Sequence, residues 1–251
     1  MLYAGIDIGS TAAKAVVLDE SKQNILSRKL MPTGWSSKET ANDLLTWLES
    51  EGYSRDNLRI IATGYGRVSV PYADNTLTEI TCHAKGAAFL GGSNLTVIDI
   101  GGQDTKIILL VNNRVVDFVM NDKCSAGTGK FLEVMANRMG VNLSEFFDMA
   151  ARGREIKISS MCTVFAESEI VSLMGLGTPR EDIACGAVGS VAAKVSTLAG
   201  RKSPSGEYFL TGGFCEAEFL VRKLSEVLGS EVRTCPDARF AGAIGAALLS
   251  K

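Results

Sequence analysis

Ile6-Asp7-Ile8-Gly9-Ser10-Thr11-Ala12-Ala13-Lys14 returns later in the chain, in altered letters, as Ile98-Asp99-Ile100-Gly101-Gly102-Gln103-Asp104-Thr105-Lys106. Each copy reads as an apolar strand carrying one aspartate, a glycine, a short polar turn, the start of a second strand, and a lysine. Apolar runs complete the strands: Leu2 to Ile8 and Ala12 to Leu18, then Leu95 to Ile100 and Thr105 to Val111. A repeat of this size implies two similar lobes. Glycines let the backbone approach a ligand, and the amides of such turns face phosphate oxygens. Ser10 and Thr11 add hydroxyl donors, and Lys14 can reach a terminal phosphate. Asp7 and Asp99 suit a hydrated Mg2+, which keeps several waters and takes one or two carboxylates. A single Asp-x-Gly occurs in many hairpins as a plain turn acid; the matched pair carries the reading.

Outward from the first copy, Asn24 to Leu30 reads as a third strand. Ser37 to Glu51, with Leu44, Leu45, Trp47 and Leu48, reads as a helix. Leu58 to Thr63 is a strand ending in Gly64-Tyr65-Gly66, and Thr78 to Leu90 a buried helix ending at Gly91-Gly92. Beyond the second copy, Val115 to Met120 is a strand. Helices follow at Lys130 to Met139, Ser144 to Ala151, Val164 to Met174 and Arg180 to Ala199. Tyr208 to Leu210 runs as a strand into Thr211-Gly212-Gly213. Glu216 to Leu228 and the Ala/Gly-rich Ala241 to Leu249 are the last helices.

A chain of 251 residues with 46% hydrophobic and 22% charged residues suits a soluble, two-lobed globular protein. Its net charge of −2 and the lack of a basic cluster argue against nucleic acid. No apolar run reaches the roughly 18 residues of a membrane span, and the start lacks a basic signal region. The expectation is a cytoplasmic protein with no membrane partner, in which six cysteines stay reduced.

Two of those cysteines stand just before helical stretches, in Asn121-Asp122-Lys123-Cys124-Ser125-Ala126-Gly127-Thr128-Gly129-Lys130 and Ser159-Ser160-Met161-Cys162-Thr163-Val164-Phe165-Ala166-Glu167-Ser168-Glu169. A thiolate at a helix N-terminus is stabilised by the dipole and is a natural metal ligand. A four-iron cluster takes four thiolates, so two per chain suggest a cluster shared by two copies on a two-fold axis. An intrachain site, a zinc site and a purely structural role remain open on spacing alone. Cys82 and Cys185 read as small core residues; Cys215 and Cys235 have no ligand-like neighbour. Gly127-Thr128-Gly129-Lys130 fails the P-loop pattern, with Cys124 in place of its first glycine and Phe131 after the lysine.

The paired hairpins, with Phe209-Leu210-Thr211-Gly212-Gly213-Phe214, resemble the ATPase superfamily of actin, sugar kinases and heat-shock chaperones. That resemblance covers nearly the whole chain. It implies an α/β, two-lobed, ribonuclease H-like fold with a duplicated sheet and ATP in the interlobe cleft. One lobe would be 1–91 plus 238–251 and the other 92–237. It implies phosphate hairpins at Asp7 to Lys14 and Asp99 to Lys106, with Gly9, Ser10, Thr11, Lys14, Gly101, Gly102, Gln103, Asp104 and Lys106 as nucleotide ligands. Gly212, Gly213, Phe214 and Glu216 would hold the adenosine. Glu79, on the first of two hinge helices, would orient the attacking water beside Asp7 and Asp99, although it also reads as a helix-start acid. His83 reads as a helix-face residue.

Both cysteine motifs resemble the activators of 2-hydroxyacyl-CoA dehydratases, in the BadF/BadG/BcrA/BcrD-type ATPase family, which includes benzoyl-CoA reductase subunits. This implies a homodimer with one oxygen-sensitive [4Fe-4S] cluster on Cys124 and Cys162, ATP/ADP and Mg2+ as cofactors, and one-electron transfer driven by ATP hydrolysis. The implied partners are a dehydratase component and a low-potential donor such as ferredoxin or flavodoxin. A small-molecule kinase or a regulatory ATP-binding module is the alternative.

Overall fold

The computed structural model describes residues 1–158, 162–200 and 207–251. The first of two compact units comprises Met1–Leu95, Leu110–Val116 and Cys235–Lys251. Its sheet contains β1 (Leu2–Ile8), β2 (Ala12–Leu18), β3 (Ile25–Pro32), β4 (Leu58–Thr63) and β5 (Asn75–Thr76), in the order β3-β2-β1-β4-β5. β1 and β2 pair antiparallel with Asp7 opposite Lys14, and β4 joins β1 in parallel. The two-residue period of a strand splits β1 between faces. Ala4, Ile6 and Ile8 enter a core with Leu44 and Leu48 of α1 (Ser37–Ser50). The opposite face, including Val16 and Leu18, packs on Ala243, Ile244 and Ala247 of α8 (Ala241–Leu248). A sheet covered on both faces explains the near-continuous apolar runs of β1 and β2.

Helix α8 lies close against both β1 and α2 (Glu79–Gly91) because glycines stand at the crossings. A Cβ on Gly5 would overlap the Ala243 carbonyl; one on Gly86 would overlap that of Ala241, and one on Gly245 that of Cys82.

The second unit comprises Thr96–Leu109 and Asp117–Thr234. Its sheet contains β6 (Leu95–Ile100), β7 (Thr105–Val111), β8 (Arg114–Asn121), β9 (Tyr208–Gly212) and β10 (Val232–Arg233), in the order β10-β9-β6-β7-β8. β9 runs parallel to β6, which sets Thr211 beside Asp99 and Gly212 beside Ile100. Five helices complete the unit: α3 (Gly129–Arg138), α4 (Leu143–Arg152), α5 (Thr163–Gly175), α6 (Arg180–Ala199) and α7 (Glu218–Leu228), of which α3, α4 and α7 show a clear apolar face at the 3.6-residue period. Ile98, Ile100 and Ile107 pack with Phe131, Phe146, Val188 and Val191 in one core. Among the described residues α6 alone is long and apolar enough to cross a membrane, yet 67% of its most apolar stretch is buried in the unit, as a core helix should be.

Helix α4 begins with a reciprocal cap. The Glu145 amide donates to Asn142 Oδ1 at 3.0 Å, and the Asn142 amide donates to Glu145 Oε2 at 3.0 Å. Asn142→Ala strips one of these amide acceptors and is expected to cost about 1 kcal/mol. A circular-dichroism melt should then show a midpoint lower by roughly 2–4 °C.

Several boundaries differ from the sequence expectation. Thr78 caps α2 rather than opening it, because its side chain accepts from the Thr81 amide. Turns closed by the Cys215 and Ala217 amides precede α7, so Glu216 lies ahead of the helix, which opens at Glu218. β3 continues to Pro32 and β9 through Gly212. The two-residue strands and the 3-10 turns Arg67–Ser69 and Pro236–Phe240 are too short to leave a periodic signal. Ser159, Ser160 and Met161 of the second cysteine motif lie outside the described residues.

Candidate functional site

In the first unit the turn after β1 is closed by the Gly9 amide donating to the Ala12 carbonyl at 3.1 Å. Thr33 braces it, its hydroxyl donating to the Gly9 carbonyl at 2.7 Å and its amide to that of Thr11 at 3.0 Å. Ser10 and Thr11 stand exposed at the tip, and Lys14 is half-buried on β2. Asp7 is only 2% exposed, and its Oδ1 has no hydrogen-bond partner in the protein. Two glycines cradle its carboxylate: a Cβ on Gly64 would meet Oδ1 at 2.5 Å, and one on Gly242 would overlap Oδ2. Gly64 also has φ +84°, which a side chain would strain. A buried carboxylate oxygen without a donor is costly, and an oxygen-seeking cation at that oxygen would remove the cost. Asp7 therefore fits the Mg2+ expected of it. Buried His83 lies beside the same Gly242, its Nδ1 3.3 Å from the Glu79 carbonyl; Glu79 itself is the half-buried first residue of α2.

In the second unit the equivalent turn is closed by the Gly101 amide donating to the Asp104 carbonyl at 2.9 Å. Gly101 and Gly102 are half-buried and Gln103 is exposed. Here the acids and the lysine combine differently. Lys106, 1% exposed, places its amine 3.3 Å from Asp99 Oδ2 and 2.8 Å from Asp104 Oδ1, both carboxylates being buried. Thr211 donates to Asp99 Oδ1 at 3.1 Å. The amine of Lys106 thus has two buried carboxylates as partners. Gly212, at φ +89°, fits against Asp99 Oδ1 and the Ile100 carbonyl, while Gly213 is exposed with open space around it. Half-buried Phe214 packs edge-on to Phe147, centroids 5.7 Å apart, and closely on Gly129; Glu216 is exposed.

The same unit holds both candidate metal ligands. Cys124 is exposed in the loop between β8 and α3, and four successive carbonyls of that loop are taken by protein donors. Asn121 Nδ2 donates to those of Cys124 (2.8 Å) and Ala126 (2.9 Å). The Thr128 hydroxyl donates to that of Ser125 and the Thr105 hydroxyl to that of Gly127, both at 2.7 Å. Cys162 is exposed at the N-cap of α5, where its carbonyl accepts from the Ala166 amide. The Ser125 and Thr163 hydroxyls meet at 2.7 Å, so the residues following each cysteine touch. Arg138 and Glu167 pair lower down the two helices that follow. The other cysteines differ: Cys82, Cys185 and Cys215 are buried. Burial pushes the Cys82 thiol up to about 11, with Asp7 and Glu79 adding to the effect, and burial also raises those of Cys185 and Cys235. Cys124 and Cys162 are the two exposed cysteines, and they are the pair that fits a cluster presented at the surface.

Thr105, Asn121, Ser125, Thr128, Thr163 and Thr211 all lie inside the stretches the sequence singles out, but no local pattern assigns them a role. Thr33 comes from a distant segment and leaves no such signal, while Gly64 and Gly242 read as a strand-end turn and a helix-crossing residue with nothing to tie them to Asp7.

Two units that each carry a phosphate-type hairpin on a mixed, helix-covered sheet define the actin-like ATPase fold. Residues 4–250 match the BadF/BadG/BcrA/BcrD ATPase family, and the chain belongs to that family. It is 42% identical over 247 residues to the (R)-2-hydroxyglutaryl-CoA dehydratase activating ATPase of Acidaminococcus fermentans, covering 97% of this chain and 95% of that one. The crystal structure of the A. fermentans (R)-2-hydroxyglutaryl-CoA dehydratase component A matches with a TM-score of 0.94 at 41% identity, over 100% of this chain and 97% of that one. The activator of 2-hydroxyisocaproyl-CoA dehydratase from Clostridium difficile, solved with bound ADPNP, matches with a TM-score of 0.93 at 37% identity, over 100% and 94%.

Proposed function

We propose that this ATPase activates a 2-hydroxyacyl-CoA dehydratase, or a related CoA-thioester reductase, by handing it single electrons at the expense of ATP. The observation that carries this is the pair of exposed cysteines joined through Ser125 and Thr163, in a chain built on two phosphate-type hairpins. Full-length similarity to dehydratase activators favours this reading over a small-molecule kinase.

In this reading Gly9 and Gly101 shape the turns that approach the polyphosphate, and the hydroxyls of Ser10 and Thr11 and the amine of Lys14 bind it. Gly102, Gln103 and Asp104 complete the second turn, and Gly212, Gly213, Phe214 and Glu216 line the adenosine. Asp7, with its donorless oxygen, would hold Mg2+, which would neutralise charge on the phosphates; Asp99, already facing Lys106, would play the lesser part. Glu79 orients the water that attacks the γ-phosphate, and ADP and phosphate leave. Cys124 and Cys162 of two copies supply four thiolates to one [4Fe-4S] cluster, whose chemistry is a one-electron couple. A low-potential donor such as ferredoxin or flavodoxin supplies the electron, and the dehydratase component receives it. The helix behind Cys162 exposes Val164 (67%) and Phe165 (68%) in its first turn, surface that a second copy would cover.

The test is transfer to a purified 2-hydroxyacyl-CoA dehydratase component from the reduced protein without oxygen, followed by the acceptor's spectrum. Transfer is expected with ATP and not with ADP or ADPNP. Asp7→Asn should lower ATP hydrolysis on the order of 10²-fold, since a bound metal contributes several kcal/mol to such steps. Transfer that proceeds equally without nucleotide would refute the reading.

A further inference from the structure

The phosphate hairpin of the second unit and the Cys124 loop are bonded directly. The Gly129 amide donates to the Gly101 carbonyl and the Lys130 amide to that of Gly102, both at 2.9 Å. The packing there is tight, for a Cβ on Gly129 would come within 3.0 Å of the Gly101 carbonyl. The third link is the Thr105 hydroxyl, which donates to the Gly127 carbonyl at 2.7 Å from a residue 1% exposed. On its far side the same loop touches the start of α5 through Ser125 and Thr163. Asn121 and Thr128 hold the intervening carbonyls. The Cys124 loop is therefore clamped between the nucleotide hairpin and the helix that carries Cys162. A movement of the hairpin turn has a short path of hydrogen bonds to the backbone around Cys124 and to Thr163, which follows Cys162.

We propose that Thr105 is a positioning residue that transmits the state of the phosphate hairpin to Cys124, and through Ser125 and Thr163 to Cys162. This rests on the reading that Asp99 to Lys106 binds nucleotide. It needs no metal, because the path consists of protein atoms alone. Of the three links only Thr105 acts through a side chain, so it is the one substitution can break. Thr105→Val keeps the shape and removes the donor; Thr105→Ser keeps the donor. A single buried hydrogen bond is worth about tenfold in an equilibrium, enough to uncouple two weakly biased states.

The test reads thiol reactivity in the cluster-free chain. Rates of alkylation at Cys124 and Cys162 by iodoacetamide are measured by peptide mass spectrometry, with and without saturating ADP or ATP. Wild type and Thr105→Ser are expected to show a nucleotide-dependent change at both thiols. Thr105→Val is expected to lose it at both. Thr163→Val is expected to keep the response at Cys124 and lose it at Cys162, an independent check should Thr105→Val fold poorly. A Thr105→Val response equal to wild type would overturn the proposal, as would a Thr163→Val response unchanged at Cys162. So would wild-type rates that ignore a nucleotide shown to bind by calorimetry. If anaerobic protein carries no iron, the electron-transfer reading falls while this coupling stands.

Discussion

Cys124→Ser protein purified without oxygen should emerge with its iron gone, and Cys162→Ser protein likewise. In the proposed reading, four thiolates from two chains would make about two irons and two sulfides per chain in the parent. Either substitution removes two of the four ligands from the pair of chains. A serine hydroxyl does not deprotonate near neutral pH as a thiol can, and it is a harder, poorer ligand for iron. Iron and sulfide are expected to fall at least about tenfold, together with the charge-transfer absorbance. The contrast is as informative as the loss. Cys185→Ser and Cys215→Ser change buried residues away from the exposed pair and should retain iron, with some loss of stability. About four irons per chain would instead place a cluster within one chain. Iron that survives both Cys124→Ser and Cys162→Ser would remove these residues as ligands altogether.

The second large effect is expected at the crossing of α2 and α8. Gly245 and Gly86 leave no room for a side chain, and the atoms they face are backbone carbonyls, which cannot rotate away. Gly245→Val must push α8 off the Cys82 carbonyl and so also off β1, against which Gly5 has the same restriction. Overpacking of this kind exceeds the usual 1–3 kcal/mol because both partners are main chain; a loss of roughly 4 kcal/mol or more is expected. At about 2–4 °C per kcal/mol for a chain of this size, the melting midpoint should fall by roughly 10 °C or more. Gly175→Ala is the control. It closes α5 with nothing within 4 Å of the added carbon, and should be neutral or slightly stabilising. Equal melts for Gly245→Val and the parent would mean that the two helices do not cross as described.

Most of the fold was legible because its signals are local. The strands of both hairpins alternate with glycine turns, and the runs Leu2 to Ile8 and Thr105 to Val111 have the extents read from their letters. The cysteines were legible as a pair because each precedes a helical stretch. What escaped the sequence depends on partners far along the chain. Nothing near Asp7 announces that Gly64 and Gly242 wall its carboxylate, or that Thr33 braces its turn. The aligned letters of Lys14 and Lys106 suggest equal roles, yet one is half-buried and the other lies between Asp99 and Asp104. Asp104 has no acidic counterpart in the first copy, where Ala12 stands, and that difference was the available clue.

The carbonyls of residues 124 to 127 are all engaged by protein donors, so the loop's shape is set by Asn121, Thr105 and Thr128. Many small metalloproteins collapse when stripped, since their metal supplies the folding energy. The loop around Cys124 is instead held by protein hydrogen bonds. If the proposed cluster is present, its loss to air is expected to leave this loop folded while ending electron transfer. Reloading would then need iron, sulfide and reductant, with no refolding step.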